Sequence, residues 1–365
     1  MLSYAIMSRY LYRIFPVLLF PALLFLFLSP SFADEVQEKW MEDGESKLYQ
    51  AEQYANQQLR LKREARAAKS KQGKRWTIFG KLGYEYDDNV ALVSDKKEFR
   101  PASIDSSAGR YHISSGLAYD FYRGEKHKAG ISYTFHQFLH DDSLNEFNFQ
   151  NHSTSVYGSR RMTVWNRPAE LRLRYTFAHG LLNRHTFSSS HFWSGAWTGE
   201  WKENWLLTLY EKLGTINFRH KGFDSSISSR DGFYQQTGFL QTWLFDKRRR
   251  SLSIGYELGL DETEGNNFDQ IANGIKVILK TPLIEKIQFE SSFYFEVDYY
   301  RHFVVSPKRL DLRYQYEFRL IRPIGRNWQA SAFYRHSDIN NLRDGVQGQF
   351  NYHRNIYGVE LAFSY

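Results

Sequence analysis

The stretch IYGVELAFSY, residues 356–365, alternates between apolar side chains and small, polar or charged ones. In a β-strand successive side chains point to opposite faces, so this alternation predicts a strand with one apolar face. The stretch also ends on an aromatic ring. The apolar face consists of Tyr357, Val359, Leu361, Phe363 and Tyr365.

An alternating strand that ends on an aromatic residue resembles the C-terminal signal strand of Gram-negative outer-membrane β-barrels. The resemblance implies that these five residues form an assembly signal and that the barrel-assembly machinery inserts the chain. Because the match covers only ten residues, the same pattern has to repeat upstream for a barrel to form.

The composition of the 365-residue chain is compatible with such a barrel, since 42% of the residues are hydrophobic and 17% are aromatic. Low mean hydropathy, and the lack of any run of about 18 apolar residues after residue 33, exclude a polytopic helical membrane protein. Barrel strands alternate lipid-facing and lumen-facing side chains, and their interfacial girdles require many aromatic residues. The sequence has no Cys, which excludes thiol catalysis, Cys-ligated metals and disulfides.

Fourteen segments after residue 75 are long enough for the ~9 to 11 residues of a tilted transmembrane strand. Pro cannot donate a hydrogen bond to a β-ladder, and all five prolines after residue 75 fall between these segments. Alternation is weaker at 145–160 and 204–245, where the face assignment stays open. The segments are 75–87, 108–121, 127–139, 145–160, 169–180, 189–201, 204–218, 231–245, 250–261, 268–280, 285–298, 309–321, 327–338 and 351–365.

The connections between these segments alternate between short turns and longer loops, with 181–188 among the loops. Short periplasmic turns and longer outer loops are typical of transmembrane barrels, and an even strand count brings both termini to the periplasmic side. An edge exposed to lipid would leave backbone groups unpaired at several kcal/mol each. We therefore predict an all-β, closed, 14-stranded antiparallel barrel over residues 75–365. The alternative is a soluble two-sheet β-sandwich, which does not explain the alternating connection lengths.

The N-terminal residues carry two further predictions. Residues 1–33 have two Arg, an apolar run and a small-x-small site that ends at Ala33, as in a secretory signal peptide; a membrane anchor is the alternative. Residues 34–74 are rich in helix-forming and basic residues. They predict a short periplasmic helical segment, which is either a solvated lead into the barrel or a docking element for peptidoglycan, the inner leaflet or a periplasmic partner.

Charge is sorted along the predicted barrel. The short connections are net basic and the long ones net acidic, which fits contacts with outer-membrane lipid and lipopolysaccharide; ordinary solubilising charge is the alternative. Because basic residues do not gather on one helix or face, we expect no nucleic-acid partner.

Strand parity also predicts which charged side chains line the lumen, and both signs occur. Such a lumen is either a wet channel or one closed by salt bridges. The predicted lining is Lys81, Glu85, Arg172, Arg174, Glu257, Lys276, Glu290, Glu296, Arg313, Glu317, Arg319 and Arg335, together with Asp120, Asp298, Asp311 and Glu360.

One group of residues has the composition of a catalytic or metal site: His136, His140, Asp141 and Asp142. A neutral imidazole beside carboxylates acts as a base or a metal ligand in many sites. The more common interpretation is a polar lining that continues into an acidic loop. No phosphate-binding loop, nucleophile elbow or H-E-x-x-H motif is present in the sequence. We therefore expect neither an enzyme nor a cofactor.

The first predicted strand ends in a motif made of Tyr86, Asp87, Asp88, Asn89 and Val90. Asp and Asn initiate loops readily, so the motif needs no further role. It is also similar to a sequence motif in the first barrel strand of the surface lipoprotein assembly modifier family. That resemblance implies a fourteen-stranded barrel over residues 75–365 and an exported lipoprotein as partner. The chain departs from the family because only about 40 residues, 34–74, precede the barrel, where the family has a periplasmic repeat domain.

The function that these observations favour is a channel for small polar solutes or an exported chain, such as a polysaccharide. Two alternatives stay open: a lipoprotein assembly or secretion factor, and a closed structural barrel. The expected location is the outer membrane.

Overall fold

The computed structural model describes residues 75–90, 107–219, 229–284, 286–303, 309–342 and 351–365. Both N-terminal predictions, the signal peptide and the helical segment at 34–74, lie outside these residues. The described residues form fourteen strands and a short 3-10 helix, Asp142–Phe147. The strands are β1 Trp76–Asp87, β2 Ala108–Arg123, β3 His127–His140, β4 Phe149–Val164, β5 Arg167–Leu182, β6 His185–Lys202, β7 Trp205–Phe218, β8 Gly232–Phe245, β9 Arg250–Thr263, β10 Gln270–Ile284, β11 Ile287–Tyr300, β12 Leu310–Ile324, β13 Trp328–Asn341 and β14 Tyr352–Ser364.

Each strand pairs antiparallel with its neighbours in the sequence, and β14 pairs with β1 to close the barrel. At this seam Tyr84 lies opposite Val359. The backbone groups of Ile78 and Tyr365 exchange two hydrogen bonds of 3.2 and 2.9 Å. The closed 14-stranded barrel is therefore confirmed, and the two-sheet sandwich is wrong, because one continuous sheet has no second layer to pack against.

The outer surface of the barrel is apolar at mid-height, where Leu82, Leu173, Ile275, Phe293 and Val359 are all exposed. Exposed apolar belts of this extent mark a surface that meets lipid. Among the described residues, no helix is long and apolar enough to cross a membrane.

An aromatic girdle surrounds the end of the barrel that carries the short turns. All of its tryptophans lie at or beside a strand end, and Trp165 is the most exposed at 82%. Amphipathic indole rings concentrate at membrane interfaces, so this end lies at one face of the bilayer. The members are Trp76, Trp165, Trp201, Trp205, Trp243 and Trp328.

Two expectations about the connections are wrong. Residues 181–188 do not form a loop: β5 and β6 continue to a two-residue turn at Asn183 and Arg184, with φ of 46° and 67°. Both values lie in the left-handed region that tight hairpins require. In addition, Pro168, Pro282 and Pro323 lie inside strands. Each is within three residues of a strand end at the short turns, where a missing N–H costs little.

Candidate functional site

The lumen is the candidate site, and the strand register decides which side chains face it. Glu85 is buried while its neighbours Tyr84 and Tyr86 are exposed to the outside, so odd positions of β1 point inward. Following the cross-strand partners around the sheet places every predicted lining residue on the inner face. These are Lys81, Glu85, Asp120, Arg172, Arg174, Glu257, Lys276, Glu290, Glu296, Asp298, Asp311, Arg313, Glu317, Arg319, Arg335 and Glu360. Whether they take part in passage stays a prediction.

The inner face of β9–β14, β1 and β2, here called the ionic wall, carries ion pairs between neighbouring strands. On β10 and β11, Lys280 Nζ lies 2.8 Å from Glu290. On β11 and β12, Arg313 lies 3.1 Å from Glu296 and 2.5 Å from Asp298. All five side chains are buried. Removing such charges from water is costly unless each has a partner.

The ionic wall continues through Glu317 and Glu360. Arg319 and Arg335 each lie 2.8 Å from a different oxygen of Glu317. Arg319 also contacts Glu360, which lies 2.8 Å from Lys81 Nζ across the β14–β1 seam. One connected set of charges therefore joins β12, β13, β14 and β1.

Glu257 differs because phenols supply much of its contact. Tyr210 donates a hydrogen bond of 2.7 Å to this carboxylate from β7, and the hydroxyl of Tyr294 on β11, which donates to Glu296, lies 3.3 Å from it. Lys276 Nζ lies 3.9 Å away. One hydroxyl donor, a second phenol and one cation therefore surround the buried anion.

The first-strand motif closes the barrel. Arg354 of β14 makes a bidentate contact with Asp87, which is completely buried. Asp88 accepts hydrogen bonds of 2.6 and 2.7 Å from the backbone and side chain of Asn355. Asn89 donates to the backbone carbonyl of His353 at 3.0 Å. Loop initiation is therefore not the motif's only role, because three of its residues hold β14 against β1.

The remaining residues of the motif lie on opposite sides of the sheet. Tyr86 is exposed on the outer surface. Val90 is buried against Ala108 and Leu144, the latter from the 3-10 helix. This apolar cluster lies at the end of the ionic wall that is opposite the tryptophan girdle.

The inner face of β3–β7, here called the hydroxyl wall, has a different composition. It is rich in Ser and Thr, and Ser155 and Thr176 hydrogen-bond across β4 and β5 at 2.9 Å. Its partly exposed hydroxyl residues are Ser132, Thr134, Ser153, Ser159, Thr176, Ser194 and Thr198. Small side chains fill less of the lumen than the long charged side chains of the ionic wall do.

The charges of the hydroxyl wall are mostly partly exposed. Arg172 is 23% and Lys128 30% exposed, whereas most charged residues of the ionic wall are buried. The structure describes every residue of β3–β7, and five cations but only two carboxylates of these strands face inward. The cations are Lys128, Arg161, Arg172, Arg174 and Lys212, and the carboxylates are Glu170 and Glu200.

The turn between β8 and β9 carries four basic residues at the tryptophan end, from Lys247 to Arg250. Asp246, Lys247 and Arg248 have φ of 50°, 53° and 69°. A hydrogen bond from Arg249 to the partly exposed Asp246 holds the pKa of that carboxyl below its usual value. The turn therefore presents fixed charge at the membrane interface.

The predicted metal and catalytic group does not form a compact ligand set among the described residues. Neither ring nitrogen of the buried His140 has a hydrogen-bond partner there. Asp141 accepts a hydrogen bond of 3.2 Å from the backbone of Gly109. His136 stacks on His112 at 6.5 Å. The side chain of Asp142 lies outside the described residues.

A different group has metal-ligand geometry: Glu85, His112 and Glu360, all buried. The His112 Nδ1 atom lies 3.8 Å from an oxygen of each carboxylate. Arg110 lies 2.7 Å from Glu85, and Lys81 and Arg319 contact Glu360. A divalent ion would have to enter between cations that already neutralise its ligands, so these residues do not fit a metal site and we assign them to the ionic wall.

Known proteins with a similar barrel were found by structure alone, since no family model and no curated sequence matches the chain. The Acinetobacter baumannii outer membrane protein Omp33 aligns at a TM-score of 0.38 and 11% identity, over 80% of this chain and 100% of its own. The outer membrane channel DcaP of the same organism gives 0.44 and 8%, over 80% and 97%. A mutant of the monoaromatic hydrocarbon channel TodX gives 0.44 and 8%, over 82% and 91%. At these values the likeness concerns the barrel fold alone.

Sequence reasoning missed several residues of the lumen. Arg354 has the same parity as Glu360 on β14, and Lys280 the same parity as Lys276 on β10, so strand parity was sufficient to find both. Lys212 was harder to assign, because Glu211 beside it faces outward and accepts a hydrogen bond from Gln235 at 2.8 Å. Two adjacent charges leave the alternation ambiguous.

Proposed function

We propose that this chain is an outer-membrane channel through which small polar solutes cross along the hydroxyl wall. The observation that carries the proposal is the contrast inside one barrel. Most charged side chains of the ionic wall are buried against each other, whereas those of the hydroxyl wall are partly exposed among Ser and Thr.

The dimensions of the barrel support a passage. Fourteen strands ~4.8 Å apart and tilted by ~40° give a circumference of about 88 Å and a backbone radius of about 14 Å. The long Arg, Lys and Glu side chains of the ionic wall occupy one side of that cylinder. The small residues opposite leave room for a solute and its water.

Planar-bilayer recording of the folded, purified barrel tests the proposal. We expect stepwise conductance increases on insertion. Insertion without conductance would contradict an open channel and favour a closed structural barrel. Loss of a surface-exposed lipoprotein in a deletion strain would instead favour the assembly factor.

The lack of Cys in the chain allows a sharper test of where the path runs. We expect Ser194→Cys and Ser153→Cys, both partly exposed on the hydroxyl wall, to react rapidly with a charged, water-soluble thiol reagent and to lose conductance. The matched control is Ser253→Cys, which is 4% exposed on β9. Equal reaction rates at the three positions would contradict a path along the hydroxyl wall.

The proposed orientation has the tryptophan girdle and both termini at the periplasmic side, after signal cleavage near Ala33 and insertion by the barrel-assembly machinery. The girdle fits phospholipid headgroups, and the opposite rim fits lipopolysaccharide. A cysteine placed at Arg326, in the turn before β13, should resist an impermeant reagent added to whole cells. Labelling there would reverse the orientation.

A further inference from the structure

The outer surface of the barrel has a depression over β13. On the lipid-facing side of this strand two alanines lie between two aromatic residues, in the order Trp328, Ala330, Ala332 and Tyr334. A methyl group extends much less far from a sheet than an indole or a phenol does. The surface is therefore lower at the two alanines than on either side of them along the strand.

Larger side chains on the neighbouring strands form the sides of this depression. Ala332 is the register partner of Leu320 on β12 and of Val359 on β14. Both of these side chains are exposed on the outer surface. The result is a mostly apolar groove with a volume of about 570 Å³, here called the alanine groove after Ala330 and Ala332.

The alanine groove runs obliquely away from the tryptophan girdle. It begins beside Ile287, the first residue of β11, and it reaches Tyr84 and Tyr111 near the opposite ends of β1 and β2. The rings of these two tyrosines lie 5.2 Å apart. At ~4.8 Å between strands, the path from β11 to β2 is roughly 24 Å long. An acyl chain anchored at one interface crosses about half of the ~30 Å hydrocarbon core, so the groove is long enough to hold one.

A cation lines the groove at the end near the girdle. Arg322 of β12 is the register partner of Ala330, and its side chain is exposed on the outer surface. Ile324, two residues further along β12, is the partner of Trp328. Because indole rings concentrate at the headgroup level, Arg322 lies close to the depth at which lipid phosphates are found.

From this arrangement we propose that the alanine groove binds an anionic phospholipid, with one acyl chain in the groove and the phosphate at Arg322. The inference concerns the outer surface, so it goes beyond the proposed channel and does not depend on conduction. Guanidinium and phosphate form bidentate, charge-assisted hydrogen bonds, and an anionic headgroup has no ammonium group to offset this attraction. The sides of the groove give the chain more van der Waals contacts than a flat surface does.

The test is native mass spectrometry of the folded, full-length barrel in nonionic detergent, with dioleoylphosphatidylglycerol or dioleoylphosphatidylcholine added. The wild type should retain one molecule of phosphatidylglycerol and bind phosphatidylcholine more weakly. Arg322→Gln should lower the affinity for phosphatidylglycerol by about fivefold, the contribution of one basic residue at an anionic lipid surface, and leave phosphatidylcholine unchanged. Ala332→Phe fills the groove and should weaken the binding of both lipids.

Two matched controls place the same changes elsewhere on the lipid-facing surface. Arg160→Gln removes an exposed cation from β4, and Ala129→Phe adds a ring on β3; both variants should bind the two lipids as the wild type does. Heat-modifiable gel mobility verifies that each variant is folded. A wild type without preference between the lipids, or Arg322→Gln and Ala332→Phe variants that bind like the wild type, would overturn the inference. Equal losses in the controls would also overturn it, because binding would then be spread over the whole surface.

Discussion

The two walls of this barrel line the lumen with different kinds of side chain. The ionic wall lines its side of the lumen with long charged side chains, and many of them contact an opposite charge from another strand. The hydroxyl wall is rich in Ser and Thr, and fewer of its charges are buried. We infer from this difference that a transmembrane barrel obtains rigidity from one part of its circumference and keeps solvent access along another. The experiments below test this difference between the two walls, starting with the largest expected effect.

Replacing Arg313 by Leu should have the largest effect. The substitution leaves Glu296 and Asp298 buried without their shared guanidinium, and breaking a buried pair from one side costs roughly 3 to 5 kcal/mol. We expect poor assembly and a much lower midpoint of guanidinium unfolding in detergent micelles. The control is Arg172→Leu on the hydroxyl wall, for which a loss below about 1 kcal/mol is expected because Arg172 is partly exposed. Equal losses would remove the distinction between the walls.

The seam contact between Asp87 and Arg354 should rank second. Either Asp87→Asn or Arg354→Gln should lower the free energy of unfolding by about 2 to 4 kcal/mol, since each removes one charge of a buried bidentate pair. The double variant should lose less than the sum of the two. A double-mutant cycle of unfolding free energies measures this coupling, and strictly additive losses would contradict a direct interaction.

Placing the same bulky side chain on each wall tests whether the two walls have different functions. Ser194→Trp places a bulky ring on the hydroxyl wall, and we expect single-channel conductance to fall by roughly half with little change in stability. Ser253→Trp inserts the same ring into the ionic wall, where Ser253 hydrogen-bonds Thr242 at 2.8 Å. Overpacking there should cost about 1 to 3 kcal/mol. The reverse pattern, unfolding from Ser194→Trp and blocked conductance from Ser253→Trp, would exchange the roles of the walls.

The smallest effect should come from Thr176→Ala, which removes the hydrogen bond to Ser155. Water can replace the lost partner at a partly exposed site, so the expected change in unfolding free energy is within about 1 kcal/mol. A thermal unfolding curve is sufficient to measure it. A larger loss would mean that the hydroxyl wall is packed as tightly as the ionic wall.

Much of the fold could be predicted from the sequence because side-chain alternation directly reports the two environments of a barrel strand. Leu310, Leu312 and Tyr314, with polar residues between them, leave no other face assignment for β12. Loop lengths were less certain, because the turn at Asn183 and Arg184 depends on left-handed backbone angles that other residue pairs also adopt. The closing role of Asp87 could not be predicted, since Arg354 is 267 residues away in the chain and only closure brings them together.

The fluorescence of the tryptophan girdle can also be used to measure how deeply the barrel sits in the bilayer. Six indoles lie at one end of the barrel, so lipids brominated at successive acyl positions should quench their emission most when the bromine lies near the headgroup. The quenching profile would report the depth of that rim without any attached dye. Acrylamide confined to one side of a sealed vesicle would then report which compartment Trp165 faces.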